Sequence, residues 1–271
     1  MTGWLVVAAG GVPLTLGGAE PAFQVGERLS YQVYWGPFIG GRASLEVLGI
    51  EPVSGHDCYH LRAKVATSGL ADLLFHVEST TESWLDVNQL FTRRYRENRV
   101  EGKNSRHTES VYDYDRQQQT ITDLRNGQIK TMPLPLPVQD VISCMYYLRS
   151  QPMQLDLGRD FLMNVGDTNY TVNVRPDLRR IIWVRPLGDT PALRIEPEPT
   201  LRIVAANKGR MWFWVSDDPR RLPLLVASDL RIGCAKLVLD KVESAKPTTN
   251  QTARAKSAAP PLPSHTVASQ R

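Results

Sequence analysis

The chain has 271 residues, 42% of them hydrophobic and 22% charged, enough to bury a sizeable core and too apolar for a disordered polypeptide. Its net charge of +4 resides in a tail, because Lys246, Arg254, Lys256 and Arg271 meet no acid there and the rest holds 28 basic and 28 acidic residues. A neutral body has no electrostatic footprint for nucleic acid, and that class of partner is excluded from the reading.

In chain order, the first segment is apolar and uncharged from Gly3 to Ala19. It is short and glycine-rich for a membrane span. Gly17-Gly18-Ala19 presents the small residues that a signal peptidase reads, so residues 1–22 are expected to be a signal-peptide-like segment. That predicts export to the periplasm or another part of the bacterial cell envelope, with no stable membrane span left after cleavage.

Period two then dominates residues 23–245, which are predicted to form a single β-rich domain. Leu29, Tyr31, Val33 and Trp35 alternate, as do Ala43, Leu45 and Val47, and then Tyr59, Leu61, Ala63 and Val65. Similar runs recur up to 242, separated by turn-forming stretches such as SGHD, RNGQ and SDDP. More than ten short strands joined by short turns predict an antiparallel meander, since parallel strands need long crossovers. Two segments break the pattern. Residues 69–75 suit a short helical turn. Residues 138–150, after the proline-rich PLPLP, suit the main helix. Asp140 is placed to cap it, Arg149 faces the negative end of its dipole, and Val141, Cys144, Met145 and Leu148 share one face. A second stripe at Ile142, Tyr146 and Arg149 makes the helix apolar on more than one side, which places it inside a curved sheet. The predicted fold is therefore mainly β: a strongly curved antiparallel sheet or open β-barrel with one main α-helix covering or filling it. Residues 246–271, rich in Pro, Ala and Ser, are expected to be a disordered tail.

Chemistry-bearing clusters are sparse. His56, Cys58 and His60 have strand spacing for metal ligands, but they are expected on the solvent side with no fourth ligand, so no metal site is assigned. No G-x-S-x-G elbow, S-x-x-K, H-E-x-x-H, phosphate loop or dinucleotide fingerprint occurs, so no catalytic residue and no cofactor is assigned. Cys58 and Cys234 lie in strand-like segments, and either one disulfide or free thiols fits them.

The stretch Met211–Ser216 alternates Met, Phe and Val with two tryptophans and is apolar on both faces. One face is expected to line a pocket together with the helix, giving Trp35, Met145, Tyr146, Trp212 and Trp214 as candidate ligand-binding residues. Asp217-Asp218-Pro219 reads as a hairpin turn. Asp218, Arg221, Asp140 and Arg149 are candidate members of a structural ion-pairing clamp.

Three blocks in order resemble the bacterial family known as domain of unknown function 3108. The first is GERLSYQVYWGPFIGGRASLEV, matching G-E-x-L-x-Y and a following G-x-A at Gly26, Glu27, Leu29, Tyr31, Gly41 and Ala43. The second matches D-x-x-S-x-x-Y-x-x-R at Asp140, Ser143, Tyr146 or Tyr147, and Arg149. The third matches W-x-S-x-D-x-x-R-x-P at Trp214, Ser216, Asp218, Arg221 and Pro223. The resemblance implies an exported bacterial protein and, by analogy of fold, an incomplete barrel similar to lipoprotein carriers; it carries no catalytic residues. The leading expectation is non-enzymatic binding of a lipid or lipidated peptide in the curved interior. The alternatives are an envelope interaction protein with a packed interior and an uncharacterised hydrolase.

Overall fold

The computed structural model describes residues 22–134, 136–197, 211–229 and 234–244. The signal-like segment 1–22, except residue 22, and the whole tail 246–271 lie outside the described residues.

The chain runs in two meanders. The first comprises β1 (Arg28–Trp35), β2 (Phe38–Val53), β3 (His56–Thr67), β4 (Val77–Asp86), β5 (Thr92–Glu101), β6 (Asn104–Asp113), β7 (Gln118–Asp123) and β8 (Ile129–Pro133). The second comprises β11 (Pro176–Val184), β12 (Gly188–Ile195), β13 (Met211–Ser216), β14 (Pro223–Asp229) and β15 (Cys234–Glu243). Pairing of β15 with β1 joins them into one 13-stranded antiparallel sheet whose edges are β11 and β8. The hairpin loops carry the backbone that local chemistry predicts. Ser54 and Gly55 both have positive φ between the paired residues Val53 and His56, the two-residue turn whose twist suits a β-ribbon. A sheet of this many strands curls rather than staying flat.

Between the meanders the chain leaves the sheet. Helix α1 (Gly69–Leu74) caps one end of β2, as expected for residues 69–75. The main helix, α2, spans Ser143–Arg149 and is shorter than the predicted 138–150. Val138 and Gln139 are extended instead: Thr92 N–H donates to the Val138 carbonyl, and Gln139 bridges to Met163. The cause is Asp140. Its Oδ1 accepts the N–H groups of Ile142 and Ser143 at 2.6 and 2.8 Å, which fixes the helix start after it. The two runs at Phe161–Val165 and Tyr170–Val174 are not part of the large sheet. They form a separate hairpin of β9 (Arg159–Val165) and β10 (Thr168–Val174).

Helix and hairpin occupy the inside of the curve. On one side Met163, Val172 and Val174 pack with Leu193, Ile195 and Val215 of β12 and β13, joined by Val141, Cys144 and Leu148. On the other, Asn164 of β9 exchanges side-chain hydrogen bonds with Gln119 of β7 and accepts one from Tyr112 of β6. The predicted arrangement, a helix within a curved antiparallel sheet, is the one observed.

Two local expectations are corrected. Cys58 does not face solvent with its neighbouring histidines; it is fully buried against Val53 and Trp84. His60 stacks on Trp84 at 4.5 Å and contacts Glu51 and Glu82. All three cysteines are free. Cys58 pairs with Glu51 near the β2–β3 turn, whereas Cys234 lies beside the β1–β2 turn at the other end of β2, so roughly 40 Å of strand at ~3.3 Å per residue separates them, besides the intervening strands β1 and β2. A disulfide requires Cα atoms within about 7 Å.

Candidate functional site: an apolar cavity and the buried clamp beside it

A cavity of about 520 Å³ lies between α2, the β9–β10 hairpin and the sheet. The helix contributes Val141, Cys144, Met145 and Leu148, the face whose i, i+3, i+4, i+7 spacing marks it as apolar. Strand β13 contributes Met211, Phe213 and Val215, with Val226 and Leu237 from the next two strands. Phe161, Met163, Val174 and Ile195 close another wall. Three lining residues depart from this apolar pattern: Glu101, which pairs with Arg99 at 3.2 Å; Arg149; and Cys144. Burial pushes the Cys144 thiol up to about 12, so it stays protonated at neutral pH. The volume falls within the roughly 300–1,000 Å³ typical of small-molecule sites.

Of the five aromatic and apolar candidates, Met145 lines this cavity. Trp212 and Trp214 occupy the other face of β13, as strand alternation requires. Trp214 packs with Leu29, Val184, Ala192, Leu222 and Leu224, and Trp212 joins that cluster. Tyr146 points away from the cavity into a different core, edge-on to Phe23 at 4.9 Å. Trp35 ends β1 opposite Phe38, at the β1–β2 turn. Helix and strand therefore do border one cavity, but through Phe213 and its neighbours rather than through the tryptophans.

The clamp candidates sit at both ends of α2, with partners other than those expected. Asp140 is fully buried and, among the described residues, pairs with no cation. Its Oδ2 accepts the hydroxyls of Ser83 and Thr92 at 2.5 and 2.8 Å. Burial pushes its pKa above the ordinary carboxylate value, against the opposing hydrogen bonds from Ser83, the two helix amides and Thr92. Ser143 is drawn into the same knot, 2.7 Å from the Thr92 hydroxyl.

At the other end Arg149, 1% exposed, forms a fork with Glu27: Nη1 donates to Oε1 at 2.6 Å and Nη2 to Oε2 at 2.9 Å. Nη2 also donates to the Ala22 carbonyl, and Nε to that of Arg220. Burial alone would lower the arginine's affinity for its proton, but hydrogen bonding and charge from Glu27 hold it above the ordinary value. Asp218 pairs with Arg220 rather than Arg221, and its Oδ1 accepts from Ser216 Oγ and the amides of Arg220 and Arg221. Arg221 donates from Nη1 to the Arg149 carbonyl at 3.0 Å. Tyr31 completes the join by donating its hydroxyl to the Pro223 carbonyl at 3.0 Å.

Glu27 is the residue that reading for a clamp missed. It lay in the first sequence block, yet 122 positions separate it from Arg149 and no local pattern links them. The three blocks thus meet at one place, the C-terminal end of α2, where strand β1, the helix and the β13–β14 turn are tied together. Apart from one edge of the Arg221 guanidinium, these polar groups are occupied with each other, so the chemistry on offer is apolar enclosure with a rigid polar frame.

The family described as "Protein of unknown function (DUF3108)" matches residues 30–240. No curated protein matches the chain. Among solved structures, the beta-barrel-like protein of domain of unknown function DUF1849 from Brucella abortus is similar at a TM-score of 0.54 and 11% identity. That match covers 82% of this chain and 98% of that one. At such identity it shows a barrel-like fold and nothing more. A "putative exported protein with YmcC-like fold" from Bacteroides fragilis matches with a TM-score of 0.31 and 8% identity, over 82% of this chain and 97% of the other.

Proposed function

The chain belongs to the DUF3108 family of proteins of unknown function, and from that premise we propose that it is an exported, non-enzymatic protein of the cell envelope that holds a hydrophobic ligand in the cavity beside α2. The ligand class is an acyl chain, carried by a lipid or a lipidated peptide. The observation that carries the reading is the 520 Å³ cavity lined by Met145, Leu148, Phe161, Met163, Phe213 and other apolar side chains. Hydrocarbon entering such a space gains roughly 25 cal/mol per Å² of surface removed from water. The buried clamp supports the same reading, because a helix tied at both ends holds a cavity open that an untied one would collapse. The apolar segment from Gly3 to Ala19 supports export.

The non-enzymatic part rests on what surrounds the cavity. The Asp140–Ser143–Thr92 cluster is buried and internally hydrogen-bonded, and the Cys144 thiol is held in its inert form. The test is native mass spectrometry of freshly purified protein, together with thermal melts in the presence of laurate. Co-purified lipid, or a rise in melting temperature that saturates with laurate, is expected, and Leu148→Trp, which fills the cavity, should abolish it. A protein that emerges empty and is indifferent to laurate would favour a packed interaction protein instead.

A further inference from the structure

A second cavity, of about 540 Å³, abuts the first: Arg149 and Met153 line both. Its remaining walls differ in kind. Phe23 and Tyr59 form an aromatic side, and Asp217, Asp218 and Arg221 of the β13–β14 turn form a charged one. The charges around it do not balance. Glu27 is matched by Arg149, Asp217 by Arg179 at 2.7 Å, and Asp218 by Arg220 at 2.8 Å. Arg221 is left over: among the described residues no carboxylate pairs with it. Of the two arginines that line the cavity, Arg149 is paired with Glu27, and Arg221 has no paired carboxylate among the described residues.

The backbone holds Arg221 in place. Its φ is +44°, in the left-handed region that a residue with a side chain enters at a cost, and the Asp218 carboxylate fixes it there by accepting its amide. Only Nη1 is engaged, with the carbonyls of Arg149 and Pro219. Nε and Nη2 make no hydrogen bond to a described residue, which leaves one edge of the guanidinium fork open. That edge is the geometry that grips a carboxylate or phosphate by two parallel bonds.

We propose that this second cavity receives the anionic head of an amphiphile whose chain lies in the apolar cavity, with Arg221 as the pairing residue. The inference rests on the proposed function and narrows its ligand to single-chain or lipid-like anions. Met153, flexible and shared by both walls, is the point at which the ligand crosses from one cavity to the other.

The test compares laurate, lauryl phosphate and lauryl alcohol, which share a chain and differ in the head, by isothermal titration against wild-type protein. The anions are expected to bind roughly tenfold or more tightly than the alcohol, the worth of one charge-assisted hydrogen bond. Arg221→Gln should erase that preference while leaving the alcohol's affinity unchanged, and Arg221→Lys should keep part of it. Equal binding of all three by wild type overturns the head-group site but leaves the apolar cavity's function standing. Binding of none overturns both. Inorganic phosphate is titrated as the remaining arm: if it alone saturates an Arg221-dependent site without affecting laurate, the site takes free anions and the amphiphile assignment fails. The wild-type comparison needs no substitution, so it decides the question even if an Arg221 variant does not fold.

Discussion

Replacing Glu27 with Gln removes one charge and almost no volume, and it should be among the most damaging conservative changes in the chain. Arg149 spends all three nitrogens on fixed partners, two of them on Glu27. With the carboxylate gone, the guanidinium stays 1% exposed with no counter-charge, and the new carboxamide presents N–H groups to a donor. Breaking a buried pair in this way costs about 3–5 kcal/mol. At roughly 2–4 °C per kcal/mol for a chain of this size, the melting temperature should fall by about 6–20 °C. Arg149→Met should cost a similar amount, because it strands Glu27, which is 6% exposed, and frees the carbonyls of Ala22 and Arg220. The double variant Glu27→Gln/Arg149→Met should be more stable than the sum of the single losses by about 2 kcal/mol or more, the mark of direct coupling. The assay is urea unfolding followed by circular dichroism, with equal m-values as the check that a single transition is compared. Single variants within about 1 kcal/mol of wild type, or strictly additive ones, would refute the claim that this pair ties α2 to β1.

Three further outcomes follow from particular contacts. Gly41→Ala should destabilise by about 2 kcal/mol or more, measured in the same urea assay, because its Cβ would strike the carbonyl of Ala66 on β3, a backbone atom that cannot yield without breaking the β2–β3 pairing. Asp218→Ala should cost about 1–3 kcal/mol, since Ser216 Oγ and the amide of Arg220 lose their acceptor and the amide of Arg221 keeps only the Asp218 backbone carbonyl; an unchanged melt would show the turn holds without it. Asp86 is a pH probe. Burial would raise its pKa, but the amides of Gln89 and Asn88 and the guanidinium of Arg93 outweigh that and hold it below the carboxylate range. A depressed folded value means its contribution is present above the unfolded value near 4 and disappears as pH falls through the lower folded value. Asp86→Asn should therefore be less stable than wild type at pH 7, with the gap closing below about pH 4; a gap independent of pH would contradict the assignment.

The alternation from Leu29 to Val242 was enough to give a meander of antiparallel strands, because period two and turn chemistry act between residues close in the chain. The stripe Val141, Cys144, Met145, Leu148 likewise marked the helix face that now lines the cavity. Asp140 was legible as a cap, although the helix it begins is shorter than the pattern suggested: extended pairing of Val138 and Gln139 with their neighbours outweighed local helical preference. Sequence also marked β13 as apolar on both faces without deciding which face meets the cavity. That choice depends on how the sheet curls and on the register shift between Trp214 and Val215, both set by distant strands. The β9–β10 hairpin shows the same limit, since its alternation is indistinguishable from that of a strand in the large sheet. Only the amide exchange between Asn164 and Gln119 and the packing of Met163 on β12–β13 place it inside the curve. The partner of Arg149 lies furthest from local reading. Many carboxylates along the chain could pair with a guanidinium, and the choice of Glu27 is made when β15 closes onto β1, carrying the first strand beneath the end of the helix.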